Sequence, residues 1–374
     1  GFDVIIGNPP YIEYSKIRQK YRVHGNETEH CGNLYAAVVE RSLALCQPEQ
    51  GYLGLIVPLS FCGGVRFKHL RQVIKEHTSH LWLANFDIFP SRLFKGAYQR
   101  LSILLARHRP AHQHQAGSPP AIHTTQTRRW YTIERPHMLN LITYTPLHRT
   151  PTAEMFPKLA SPLHEALLCK LIERTQGMCI ASALSRSSTP HFVYYQEATN
   201  YWIKASCRVP YYKKNGVVLA PAHGRFLYTH SEQTARIIMA LMNSSLFYVW
   251  FATYADGFHL SHALVKTFPV SPTLYADPAL LSLALALEED IMQHATLSTR
   301  NTQPGNSSNM RRVIHHIELE EYHMHLSKPL LDEIDTILAR HYGLNEAELD
   351  FIINYDIKYR MGKEHQESPP VLAE

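Results

Sequence analysis

The chain has 374 residues, 45% of them hydrophobic, which is ordinary for globular protein and enough for two domains. Its formal net charge of +5, with 24 histidines, suits a polyanionic partner without selecting one. The six cysteines include no Cys-x-x-Cys pair, no apolar stretch reaches membrane-span length and no signal peptide is visible, so a zinc ribbon, a disulfide framework and a membrane partner are all set aside and a cytoplasmic protein is expected.

The chain opens on an apolar run, Phe2 to Gly7, that reads as a strand and ends in Asn8-Pro9-Pro10-Tyr11. Two successive prolines permit neither helix nor ladder pairing, so the chain turns at the strand end. In open α/β sheets, ligands bind in the crevice outside the carboxyl ends of the strands. The residues delivered there suit a planar amino group. Its lone pair is conjugated into the ring, and two acceptors on its two hydrogens would free it. Asn8 offers a side-chain carbonyl, and Pro9 offers a main-chain carbonyl directed by the ring of Pro10. Tyr11 offers a ring face for a base, worth roughly 1–3 kcal/mol. Such chemistry needs positioning and electrostatic preorganisation rather than a general base. A purine inside a duplex reaches such a pocket only by flipping out.

Strand and helix then alternate. Helices are predicted over Leu34–Cys46 and Val65–His77, and strands over Tyr52–Pro58, Leu81–Ile88 and Gln99–Ala106. This is half of a doubly wound α/β sheet. Because its apolar side chains fit a strand covered on both faces, the opening strand would be an exposed apolar edge without a further neighbour. Arg107 to about Thr125, rich in His, Pro and Gln, reads as an exposed linker. Trp130 to Tyr144 is strand-like, and Ala160 to Thr175 is helical up to Gly177.

Between Gly177 and Pro272, aromatics interleave with Lys204, Arg208, Lys213, Lys214 and Arg225, side chains suited to phosphates and base edges. The apolar helix after Ser231 reads as scaffold. Thr296 to Asn309 is polar and reads as a disordered loop. His315, His316, His323 and His325 read as solvated or packed side chains rather than a metal site. Pro329 to Met361 is helical, stopped at Gly343 and restarted with Asn345 as N-cap, and a tail follows Gly362.

With these motifs the sequence resembles, over nearly its whole length, the gamma-class adenine-N6 DNA methyltransferases of the TaqI-like and type IIG restriction–modification group. The resemblance is carried by Asn8 to Tyr11, by Asn33-Leu34-Tyr35, by Gly51 to Pro58, by Ile88-Phe89-Pro90 with Leu93-Phe94-Lys95-Gly96, by Asp256 to Leu260, and by the closing Asn354 to Met361. It implies the C-terminal half of a Rossmann-like methyltransferase sheet (residues 1–110), connecting strands (111–150), an α+β target-recognition domain (151–285) and a helical C-terminal region (286–374). Within the sheet it implies an antiparallel hairpin of the last two strands. It implies S-adenosylmethionine as methyl donor and double-stranded DNA as partner. Asn8, Pro9, Pro10 and Tyr11 would be catalytic, with Tyr11 and either Phe94 or Phe89 sandwiching the base. Asn8-Pro9-Pro10-Tyr11 also fits glutamine and RNA methyltransferases, which usually end soon after the catalytic sheet.

One family feature is missing. No Gly-x-Gly donor-binding turn occurs in the chain, which starts with Gly1 rather than Met. The expectation is a C-terminal portion of a longer enzyme, or a chain with a companion, in which only Asn8 touches the donor side. Such a chain alone would bind S-adenosylmethionine weakly and tend to aggregate. The alternative is a DNA-binding specificity component or an inactive remnant. No nuclease motif of the Pro-Asp…Glu-x-Lys type is evident.

Overall fold

The computed structural model describes residues 1–17, 19–20, 23–48, 50–96, 98–110, 119–149, 154–302 and 315–362. They fall into two units, Gly1–Cys169 with Phe251–Gly257, and Lys170–Trp250 with the rest of the chain from Phe258.

The first unit contains β1 (Val4–Gly7), α1 (Leu34–Leu45), β2 (Tyr52–Pro58), α2 (Lys68–His77), β3 (Thr78–Phe86), β4 (Leu101–His108), β5 (Ala121–Arg128) and β6 (Thr145–Leu147), with α3 (Pro162–Glu173) next in the chain. The strands form one mixed sheet in the order β1-β2-β4-β3-β5-β6. β1 and β2 are parallel, β4 runs antiparallel to both β2 and β3, and β3 is parallel to β5. The carboxyl ends of β1, β2, β3 and β5 therefore lie at one end of the sheet.

Period-two alternation decides which face is covered. Leu53, Leu55 and Val57 of β2 share a buried cluster with Leu81, Leu83, Leu104 and Ala106, and with Tyr35, Val39 and Leu43 of α1 and Leu70, Val73 and Ile74 of α2. Across the sheet the other side chains alternate outward. Val4, Ile6, Tyr52 and Leu105 are exposed there, and Trp82 stacks between His80 and His123, 5.7 Å from each. β1 is thus an edge strand with exposed apolar side chains, as its sequence predicts, and it is not covered on both faces by the described residues.

The expected hairpin of β3 and β4 is present, with β4 inserted between β2 and β3. Two expectations are corrected. Arg107 to Thr125 is not all linker, because β4 continues to His108 and β5 begins at Ala121; residues 111–118 lie outside the described set. Trp130 to Tyr144 is not a strand. It forms a 3-10 turn, Thr132–His137, and loops around buried Trp130. Its alternation came from side chains packing on one centre, Trp130 with Met138, Ile142 and Tyr144.

The segment Phe251–Gly257 is clipped into the first unit. Lys158 Nζ donates to the Thr253 carbonyl at 2.6 Å, and His164 Nε2 lies 2.9 Å from Thr253 Oγ1. Both side chains are fully buried. Burial pushes the His164 pKa down to about 3, with the Lys158 charge adding to the effect, and burial pushes Lys158 down to about 8.

The second unit holds β7 (Phe192–Gln196), β8 (Ala205–Ser206), β9 (Tyr212–Lys214), β10 (Val217–Val218), β11 (Gly224–Tyr228), α4 (Glu232–Asn243), α5 (Ser245–Tyr254), α6 (His262–Lys266), α7 (Pro278–Gln293), β12 (Thr296–Thr302), β13 (His315–Glu321), α8 (Lys328–Tyr342), α9 (Glu346–Asn354) and α10 (Ile357–Arg360). Two small sheets form, β11-β7-β8 and β10-β9-β13-β12. Asn215 and Gly216, both at positive φ, make the tight turn between β9 and β10. Ser231 caps α4, and α4 is buried along most of its length, which fits the scaffold reading. Buried Asp335 accepts from Ser245 N and Leu246 N at 3.0 Å each, and its desolvated carboxyl is pushed up to about 6. Gly343 closes α8 at φ 64°, and Asn345 caps α9. The disordered loop expected over Thr296 to Asn309 is corrected for its first part. Thr296–Thr302 is a strand paired with β13, because its polar side chains stand on a ladder that needs no apolar face. Residues 303–309 and the tail from 363 lie outside the described set. No single described helix is long and apolar enough to cross a membrane.

Two predictions follow from this packing. Ile6 is 79% exposed on the edge strand, so Ile6→Lys should lower concentration-dependent association in sedimentation velocity while shifting Tm by no more than a degree or two. Unchanged association would mean the edge is not the sticky surface. As pH falls from 6.5 towards 3, the unfolded chain protonates His164 and the folded chain does not, so stability is lost across that window. His164→Gln should reduce the stability difference between pH 7 and pH 4 in urea unfolding; an identical difference would contradict a buried neutral ring.

Candidate active site

β1 ends at Gly7, and the next four residues occupy the carboxyl end of the sheet. Asn8 and Pro10 are exposed, Pro9 is buried and Tyr11 is half-buried. The proline rings hold the turn, and the anchor is Tyr11. Its ring meets Tyr35 of α1 edge-on at 6.2 Å. Its hydroxyl lies 2.7 Å from the Ile56 carbonyl on β2 and 2.5 Å from Asn8 Oδ1. One hydroxyl proton serves one acceptor at a time, so the two carbonyls compete for it. Burial raises the Tyr11 pKa to about 12, which keeps the phenol a donor near neutral pH.

Asn33 explains why its motif accompanies this turn. Its side chain accepts from Tyr35 N at the start of α1 and donates to Glu13 Oε1 at 3.1 Å. Arg66 then grips Glu13 through both carboxylate oxygens, at 3.0 and 2.8 Å, and holds its carboxyl below the usual range. Leu34 N also donates to the Ile12 carbonyl. The segment after Tyr11 is therefore laced to the start of α1, which in turn presents Tyr35 to Tyr11.

The loop between β3 and β4 leaves the same end of the sheet. Asp87 anchors its first residue, with Oδ1 2.8 Å from Arg100 Nε and Oδ2 3.1 Å from Arg129 Nη2, all three side chains nearly buried. Phe89 and Phe94 are 42% and 39% exposed on this loop, so both rings are open to solvent and neither is consumed by the core. Sequence reading missed Asp87, Arg100 and Arg129 because ion pairs between distant elements leave no local spacing. The adjacent Arg128-Arg129-Trp130 was the available signal.

The basic side chains of the second unit are mostly engaged. Arg208 pairs with Glu320, Lys213 with Glu318 at 2.9 Å and Arg225 with Glu197 at 2.9 Å. Lys204 is half-buried, and desolvation lowers its pKa. Lys214 is half-buried on β9. Partly exposed pairs of this kind contribute little to stability.

Gly63-Gly64 is the nearest approach to a glycine-rich turn after a strand. A Cβ on Gly63 would stand 1.7 Å from the Tyr254 carbonyl oxygen, so the space glycine leaves is filled by main chain. These residues do not fit a donor cradle.

Residues 1–92 match the family model described as Eco57I restriction-modification methylase. The first quarter of this chain is similar to methylases of restriction–modification systems. A putative type II restriction enzyme and methyltransferase of Methanocaldococcus jannaschii is 36% identical over 110 residues, 29% of this chain and 9% of that protein. The type II methyltransferase M.BsuBI of Bacillus subtilis is 37% identical over 94 residues, 24% of this chain and 17% of that protein. The matched segments thus span a small part of these relatives' length. A solved structure of the type IIL restriction-modification enzyme MmeI in complex with DNA aligns over 97% of this chain and 57% of that one, with a TM-score of 0.43 and 10% identity, a likeness from which nothing is argued.

Proposed function

We propose that these residues form the catalytic end and the recognition region of an adenine-N6 DNA methyltransferase of a restriction–modification or phage-defence system. The observation that carries this reading is the Asn8 side-chain carbonyl at the end of β1, bonded to a tyrosine that α1 and β2 brace from two sides. In this reading the flipped adenine stacks on Tyr11, opposed by Phe94 or Phe89. Its amino hydrogens are accepted by Asn8 Oδ1 and the Pro9 carbonyl, which frees the nitrogen lone pair. For Asn8 to accept, the Tyr11 hydroxyl turns to Ile56. That carbonyl is already within reach, so the ring need not move. S-adenosylmethionine would supply the electrophilic methyl group. Asn8 is the one residue of this chain we assign to its side of the site, and the cradle for the rest of the donor would come from protein outside these residues. Lys204, Arg208, Lys213, Lys214 and Arg225 are proposed to meet DNA.

A second reading, a specificity component without transfer activity, is favoured by the filled space at Gly63. The two separate in one assay. The full polypeptide carrying these residues, given S-adenosylmethionine and duplex DNA, should yield N6-methyladenine in digested product. Asn8→Ala should lower transfer by more than about 100-fold and leave DNA affinity within about twofold. Tyr11→Ala should lower it by roughly 10- to 100-fold, and Tyr11→Phe, which keeps the ring, by much less. Absence of methyladenine, or full activity in Asn8→Ala, would sink the first reading.

A further inference from the structure

The segments after β3 and after β5 fasten to each other. Arg135 donates from Nη1 to the Leu93 carbonyl at 3.0 Å and from Nη2 to the Arg92 carbonyl at 2.7 Å, while its guanidinium lies 4.7 Å from the centre of the buried Trp130 ring. Ser91 Oγ meets Thr132 Oγ1 at 2.7 Å. Arg128 donates to the Leu141 carbonyl at 2.5 Å. Together with Asp87 between Arg100 and Arg129, this ties residues 87–96 and 98–100 to residues 128–142 in one clasp.

The composition of the clasp is lopsided. It holds six arginine and lysine side chains (92, 95, 100, 128, 129 and 135) against two carboxylates, Asp87 and Glu134, although the whole chain has an excess of only five. Asp87 is spent on Arg100 and Arg129, and Glu134 accepts from Tyr131 N. The outer surface left over is basic and apolar together. Ile133 is 87% exposed, Tyr98 and Leu139 are also exposed, and the Arg92 guanidinium stacks on Tyr98 at 3.4 Å. Exposed apolar side chains on a segment that also carries Arg92 and Lys95 mark an interaction surface. β3 stands three strand spacings from β1, roughly 14 Å, and both end on the same side of the sheet as Asn8.

We infer that this clasp is a second DNA-contacting surface, lying on the duplex that flanks the extruded base. Lys95 and Arg92 take phosphates, and Ile133 and Leu139 bear on the groove as apolar wedges do in kinked or opened DNA. The inference rests on the reading of the partner as DNA. It adds contacts in the catalytic unit to those proposed for the recognition region, and it gives a role to the contacts by which Arg135 joins the two segments beside Trp130.

Fluorescence anisotropy of a labelled duplex with the full chain tests it across a salt series. Lys95→Ala should reduce the slope of log affinity against log salt by about 1, the value of one lost phosphate contact. Ile133→Asp should weaken binding at least about tenfold, and Ile133→Ser, the milder change, by a smaller factor, with melting curves like the wild type. Lys68→Ala, on α2, should change neither slope nor affinity by as much. If wild type binds DNA and the Lys95 and Ile133 variants match it, the clasp is not a contact surface, and the methyltransferase reading stands. If wild type itself has no affinity for duplex DNA, that reading and this inference fall together.

Discussion

The Tyr11 hydroxyl, placed between the Ile56 carbonyl and Asn8 Oδ1, is the constraint from which the site is built. A loop after an edge strand would ordinarily be free to sample many conformations. Here two prolines remove most backbone freedom, and the phenol ties the loop end to the neighbouring strand. Tyr35 closes the ring from the side, Asn33 fixes Tyr35, and Arg66 fixes the acid that Asn33 holds. The result is a tyrosine held from two sides with the Asn8 carbonyl bonded to it, a fixed arrangement of the kind that electrostatic preorganisation requires. The Asn8 carbonyl is not idle without substrate. It is satisfied by a donor that has an alternative acceptor 2.7 Å away, so releasing it costs about one exchange of partners.

Much of this was legible in the chain. Asn8 to Tyr11 could be placed at a strand end because apolar residues precede two prolines, and Asn345 and Gly343 could be placed at helix ends, since these signals are local. β2 was predicted with its observed bounds, because a short apolar run bounded by Gly51 and Pro58 is a local signal. What escaped prediction depends on contacts between distant segments. β5 was hidden in a polar stretch because, after Ile122, its buried positions are small hydroxyls, Thr124 and Thr125. They bond Asn85 of β3 instead of packing on apolar neighbours. The run from Trp130 to Tyr144 imitated a strand because side chains converge on one indole from a coiled backbone. The basic residues of the second unit were identified as a group, but their engagement with Glu197, Glu318 and Glu320 has no sequence signal, since each partner is far along the chain.

The sheet is asymmetric. One face is dry and packed by α1 and α2, and the other presents Val4, Ile6, Tyr52 and Leu105 outward. A two-sided apolar β1 with one side uncovered is an energetic liability as well as a landmark. It places Asn8 at the margin of the described sheet, while the phenylalanine loop and the basic clasp lie further in. A base held by Asn8 would thus have the clasp on one side only, which gives the approach of a duplex a direction.

The central claim is that Asn8 and Pro9 grip the amino group of an extruded adenine. The most direct measurement is a structure of the full polypeptide bound to duplex DNA containing its target. The account predicts the adenine N6 at hydrogen-bond distance, about 3 Å, from both Asn8 Oδ1 and the Pro9 carbonyl, with the Tyr11 hydroxyl turned to Ile56. An extruded base seated elsewhere, or Asn8 still bonded to Tyr11 beside a stacked and unflipped adenine, would contradict it.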